Sequence, residues 1–146
     1  MPDEKLELQI GVVNTGLHRI FFNARQPERL SENLRQVNFQ DMHVITEAHE
    51  HPDAILKDIR ERMQLPQSTL TSIVNKLERL GLVRRVINRR DLRSYSLELT
   101  EDGHALREEH RRSDRAQVAL LLGMLNDEER QQFVQLMSKL TRRLGQ

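Results

Sequence analysis

The chain contains no cysteine. That absence excludes disulfides, thiolate metal sites, a cysteine nucleophile and a thiol redox switch. Tryptophan is also missing, and four Phe and one Tyr are the only aromatics in 146 residues. A mostly aliphatic core is therefore expected. No apolar run approaches the ~20 residues that a membrane helix needs. The N-terminus, Met-Pro-Asp-Glu-Lys, is acidic and lacks an apolar stretch, so no secretion signal is expected and a cytoplasmic protein is. There is no HExxH, Gly-rich phosphate loop or GxSxG, and catalysis is not expected. Neither sign of charge dominates: 23 Lys and Arg stand against 22 Asp and Glu, a formal net charge of +1.

What is present is segregated. Met1 to Ile59 carries net −4, Arg60 to Arg93 net +6, and Ser94 to Gln146 net −1. A basic middle between acidic ends is what a local nucleic-acid footprint produces, although a solvated helix surface yields the same arithmetic.

Hydrophobic spacing supplies the elements. Leu6, Ile10, Val13, Leu17, Ile20, Phe21 and Ala24 form one helical stripe, ended by Pro27. A short helix is expected around Ser31 to Gln36. Asn38 suits the N-cap of a helix carrying Phe39, Met42, Ile45 and Ala48, with Pro52 as its stop. Asp53 is expected to cap a short helix with Ile55, Leu56, Ile59 and Met63 inward. Pro66 opens the next, striped by Leu70, Ile73, Val74, Leu77 and Leu80 and closed by Gly81. The period then shortens: Val83, Arg85 and Ile87, then Tyr95, Leu97 and Leu99, alternate as two half-buried strands around the charged tip Asn88 to Arg93. Thr100 caps a long helix through Ala105, Leu106, Ala116, Leu120 and Leu121. Asn126 with Glu129 makes a capping box for a last helix striped by Phe133, Leu136, Met137, Leu140 and Leu144. The expected fold is mainly α with a small β-hairpin wing, a winged helix-turn-helix.

These residues resemble the multiple-antibiotic-resistance regulator (MarR) family of bacterial transcription factors over Leu6 to Leu144. The specific part runs from Asp58 to Gly103. Asp58 to Leu65 resembles the end of the first motif helix and its turn, and Ser68 to Val83 the recognition helix and its exit. Asp91-Leu92-Arg93, followed by Leu99-Thr100-Glu101-Asp102-Gly103, is similar to the family's wing signature. Two positions depart from the pattern: Arg60 stands where a small Ala is usual, and Gln64 where the turn often has Gly.

The resemblance implies a homodimeric, ligand-responsive regulator, a repressor by expectation, on a pseudo-palindromic duplex operator. Residues 1–37 and 101–146 are expected to supply dimerisation helices, and 38–100 the DNA-binding lobe. With Leu70, Ile73, Val74 and Leu77 inward, Ser68, Thr69, Thr71, Ser72, Asn75 and Lys76 face outward. Asn75 is the candidate base reader, because Asn bonds adenine bidentately. At the wing, Arg89, Arg90 and Arg93 suit a narrow minor groove. The resemblance makes Arg93 the inserting residue and Asp91 the partner that holds it by charge pairing. The scarcity of aromatics favours duplex over single-stranded DNA.

The terminal stripes exceed what a small winged domain can cover. Ile10, Val13, Leu17, Phe133, Leu136 and Leu140 are therefore the candidate dimer interface, an intramolecular bundle being the other arrangement. A small aromatic or anionic effector is the ligand class the resemblance implies, with His18, Arg19 and His43 as candidate cleft residues. His43, Glu47 and His51 fall at helical spacing, as do His104 and Glu108, with His110 on another face. No metal or cofactor is assigned, and a metal-sensing variant remains an alternative reading. So does a winged protein-interaction module without DNA.

Overall fold

The computed structural model describes residues 4–23 and 31–145, with side chains through residue 20 in the first stretch. Its order is α1 (Glu4–Asn23), α2 (Glu32–Gln36), α3 (Phe39–Glu50), α4 (Leu56–Met63), α5 (Gln67–Arg79), β1 (Val83–Ile87), β2 (Tyr95–Leu99), α6 (Glu101–Gly123) and α7 (Asp127–Leu144). The fold is the expected mainly helical one with a two-stranded hairpin. Ala24 and Pro27, expected at the end of the first helix, lie outside the described residues, and so does the side chain of Phe21.

Two compact units emerge. Among the described residues one holds 4–23 and 112–145, the other 31–111. The short helix α2 and the first half of α6 thus belong with the winged unit.

Local capping explains where its helices start. Asn38 Oδ1 accepts the Asp41 N–H (2.9 Å) while Asp41 Oδ2 accepts the Asn38 N–H (2.8 Å). That reciprocal box satisfies two of the donors a helix start leaves open. At α4 the cap differs from expectation. Asp53 does not cap it; the helix begins after Ile55, whose N–H donates to Asp58 Oδ2 at 3.1 Å.

The two motif helices end alike. After α5 the Leu82 N–H reaches the Leu77 carbonyl (2.9 Å), with Gly81 at φ 71°. After α4 the Leu65 N–H reaches the Arg60 carbonyl (3.0 Å), but the left-handed position belongs to Gln64 at φ 53°. Glycine adopts that conformation freely and glutamine does not.

The core of the winged unit is aliphatic. Val44 and Ile45 of α3, Ile59 of α4, Val74 and Leu77 of α5, Leu82 just before β1, and Leu97 of β2 are all sealed from solvent. Leu34 of α2 and Leu106 of α6 complete it. Several expected core positions open outward instead. Phe39, at the first turn of α3, is 70% exposed and lies against the His43 ring, 5.0 Å between centroids. Ile87 and Tyr95 pair across the distal hairpin and are both exposed, because the wing there extends past the body that covers Val83 and Leu99. Leu120 is exposed too.

The hairpin is antiparallel, with Val83 opposite Leu99 and Ile87 opposite Tyr95. Its exit is fastened by the Leu-Thr-Glu-Asp-Gly run. Thr100 donates from its N–H to Leu82 O (3.0 Å) and from Oγ1 to Gly81 O (2.6 Å), and Oγ1 accepts the Gly103 N–H (3.1 Å). Gly103 is needed for this approach: a Cβ there would sit 2.0 Å from Leu82 O.

The other unit has a different character. α7 buries no residue within the chain, and its Asn126–Glu129 capping box is formed. Ile10, Val13 and Leu17 of α1 and Phe133, Leu136 and Leu140 of α7 are all exposed. None of the helices is long and apolar enough to cross a membrane among the described residues.

Candidate nucleic-acid interface

α5 buries Leu70, Ile73, Val74 and Leu77 and turns Ser68, Thr71, Ser72 and Asn75 to solvent, with Thr69 half-buried. Thr71 spends its hydroxyl on its own helix, donating to Gln67 O at 2.9 Å. Arg60 reaches across from α4 and donates to Gln67 Oε1 at 3.0 Å. The long side chain at this departure from the family pattern therefore joins the two motif helices.

Two outward candidates are not free. Lys76 directs Nζ at Asp41 Oδ2, 2.5 Å away, where the carboxylate is 1% exposed. Lys76, expected among the outward DNA-facing residues, thus offsets a buried charge with its own. Asn75 also has a partner, since its Oδ1 accepts from Arg85 Nη2 at 2.8 Å. Arg85, on β1, pairs in turn through Nη1 with Glu78, and its N–H donates to Glu78 Oε1 at 3.2 Å.

The same selectivity applies across the basic segment. Arg62 pairs with Glu47 (3.3 Å), Arg84 with Glu98 (3.2 Å) and Arg90 with Asp53 (3.0 Å). Arg79, Arg89 and Arg93 have no ion pair or side-chain hydrogen bond among the described residues. Charge summed along the sequence thus overstates what is available, because four of the anions that answer these cations lie outside residues 60–93.

The wing is built on Asn88, a residue counted in sequence as part of a charged tip. It is 3% exposed and uses its whole carboxamide. Nδ2 donates to Asp53 O (2.9 Å) and Ser96 Oγ (2.7 Å), and Oδ1 accepts the Arg90 and Asp91 N–H groups (2.8 Å each). Asp53 thus anchors the wing twice, through its carbonyl and its pair with Arg90. At the tip, Asp91 accepts from the Ser94 hydroxyl (2.6 Å) and the Arg93 N–H (3.1 Å). These bonds, the Ser94 one foremost, hold its carboxyl below the ordinary 3.8. Asp91 therefore holds Arg93 by the main chain and not by the side-chain charge pair expected, which leaves the Arg93 guanidinium open.

Among the described residues no three His, Asp or Glu side chains gather as a metal site. His51 Nε2 lies 4.0 Å from Glu47 and His43 stacks on Phe39. His18 and Arg19 belong to α1 in one unit, His43 to α3 in the other. Arg85, Glu78, Asp41, Asn88 and Asp53 are the site residues that sequence reasoning missed. For Asn88 a signal existed, an uncharged amide at the entry to a run of arginines.

Known proteins answer this arrangement. The MarR family description matches residues 37–95. The HTH-type transcriptional repressor MdtR of Bacillus subtilis is 31% identical over 120 residues, covering 82% of this chain and 77% of that protein. The chain belongs to the MarR family. Among solved structures, the YusO protein from Bacillus subtilis superimposes with a TM-score of 0.71 at 28% identity, over 93% of this chain and 96% of that one. Streptococcus pneumoniae FabT, solved in complex with DNA, gives 0.74 at 26% identity, over 92% and 96%. As a MarR-family protein the chain is a DNA-binding transcriptional regulator and not an enzyme. MarR regulators bind DNA as dimers, and small-molecule effectors are known in the family.

Proposed function

We propose that this chain is a cytoplasmic repressor that binds a pseudo-palindromic duplex operator as a homodimer and is released by a small aromatic or anionic effector. The observation that carries the DNA-facing part is the join of α5 and wing within one unit. An exposed hydroxyl-rich helix face (Ser68, Thr71, Ser72, with the half-buried Thr69) stands with Asn75, beside a buttressed wing whose Arg89 and Arg93 are uncommitted. Hydroxyls and the helix N-terminus suit phosphate and base edges in the major groove, and the free arginines suit the minor groove. Arg90 reaches phosphate only by sharing its charge with Asp53, and Asp91 supports the tip.

Dimerisation through α1, the far part of α6 and α7 is supported by the open stripe of Ile10, Val13, Leu17, Phe133, Leu136 and Leu140, which nothing among the described residues covers. Two-fold pairing presents two α5 helices to half-sites about one helical turn apart. The effector rests on family membership alone.

The test is a gel shift on DNA upstream of the chain's own gene with salt titrated, beside sedimentation of the free protein. Binding that weakens steeply with salt, from a dimer, is the expected result. A monomer overturns the dimer in favour of an intramolecular bundle, and a protein partner retained with no DNA bound replaces this reading with that of a protein-interaction module.

A further inference from the structure

An unencumbered asparagine offers a carbonyl oxygen and an amino group side by side, which matches the N6 donor and N7 acceptor of adenine. Asn75 is not unencumbered. Its Oδ1 accepts from Arg85 Nη2 at 2.8 Å. The direction of the carboxamide follows from chemistry: a guanidinium only donates, so the end facing Arg85 is the oxygen. Arg85 is itself fixed, because Glu78 takes its Nη1 and its main-chain N–H and β1 holds its backbone in register with Leu97. Asn75 remains exposed, and among the described residues nothing accepts from its Nδ2.

We propose that Arg85 sets the base preference of Asn75: with the oxygen engaged, Asn75 meets a base edge through its amino group and selects acceptors, guanine before adenine. Guanine offers O6 and N7 together in the major groove. Adenine offers one acceptor, and its amino group turns a donor toward a donor. Arg85 is a positioning residue in this scheme and touches no base. The inference rests on the proposed docking of α5 in the major groove.

Selection from a randomised duplex library by the full-length protein tests it. The diagnostic base pair is the one whose preference disappears in Asn75→Ala. In the unsubstituted protein it is expected to favour guanine over adenine by about tenfold. Arg85→Met frees the oxygen and is expected to move that position to adenine. Asn75→Asp keeps the Arg85 contact but has only acceptors, so cytosine, with its N4 donor, is expected there. Adenine in the unsubstituted protein overturns the proposal. So does an unchanged site with Arg85→Met, or the absence of any base pair responding to Asn75→Ala. Thermal melting checks Arg85→Met for folding. If it fails to fold, the exposed Asn75→Asp decides, since a retained guanine preference there contradicts donor readout. A protein that enriches no sequence refutes the docking itself, a result distinct from enrichment with adenine.

Discussion

Lys76 and Asp41 form an ion pair at 2.5 Å between the outward edge of α5 and a carboxylate that is 1% exposed at the start of α3. Asp41 also closes the α3 capping box, so one side chain orders a helix start and holds the recognition helix to it. Asp41→Ala is expected to cost about 3–5 kcal/mol, the range for removing one partner of a buried pair. Lys76→Met strands that buried carboxylate without its counter-charge and is expected to cost a similar amount. Urea unfolding of both variants and of the double substitution checks this. An additive double substitution contradicts a coupled pair.

Asn88 carries the wing by four hydrogen bonds. Asn88→Ala leaves the Arg90 and Asp91 amides without their acceptor and is expected to cost about 3 kcal/mol in urea unfolding. Asn88→Asp keeps those two bonds yet loses the donors to Asp53 and Ser96, and operator affinity is expected to fall in both variants.

Cations without internal partners are expected to dominate the salt dependence of DNA binding. Arg89→Ala or Arg93→Ala lowers the slope of log affinity against log salt by about 2 per dimer, one phosphate-equivalent per protomer. Arg84→Ala, whose side chain answers Glu98, leaves it unchanged. Fluorescence anisotropy at several salt concentrations separates the two groups, and equal slopes in all variants contradict the assignment.

Two glycine exchanges are expected to act with opposite sign. Gln64→Gly relieves the left-handed position after α4 and stabilises by about 0.5–1 kcal/mol. Gly103→Ala drives a methyl into the Leu82 carbonyl and costs about 3 kcal/mol, the upper end for forced overpacking. Thermal melting reads both.

The Asp91 carboxyl is held below 3.8 by the Ser94 hydroxyl and then by the Arg93 N–H. A lowered acid contributes stability above its ordinary value and loses it as pH falls through the lowered one. The wing tip is therefore expected to be unchanged from neutral pH down to about 5 and to loosen below 3.8. The NMR amide shifts of Arg93 and Ser94 follow it, and a transition near neutrality contradicts the assignment.

Features set by neighbours within a few residues were legible in sequence. The caps at Asn38 and Asn126, the Gly81 turn and the buried stripe of α5 all follow from helical spacing and short-range donors. The exposed ends of the hairpin were not, since alternation states which side a residue faces but not how far the covering body extends. Phe39 shows the same limit at a helix start.

By itself the sequence determined the element order, the winged class, the polar face of α5 and the apolar stripes of α1 and α7, because each depends on a local period. Tertiary structure decided which charges are available. Lys76 meets Asp41, and Asn88 meets Asp53, across 35 residues of chain in each case. Pairing at that separation is set by the packing of α3, α5 and the wing, which no count along the sequence contains. The cation total of the basic segment was therefore readable in advance, and the small uncommitted remainder at Arg79, Arg89 and Arg93 was not.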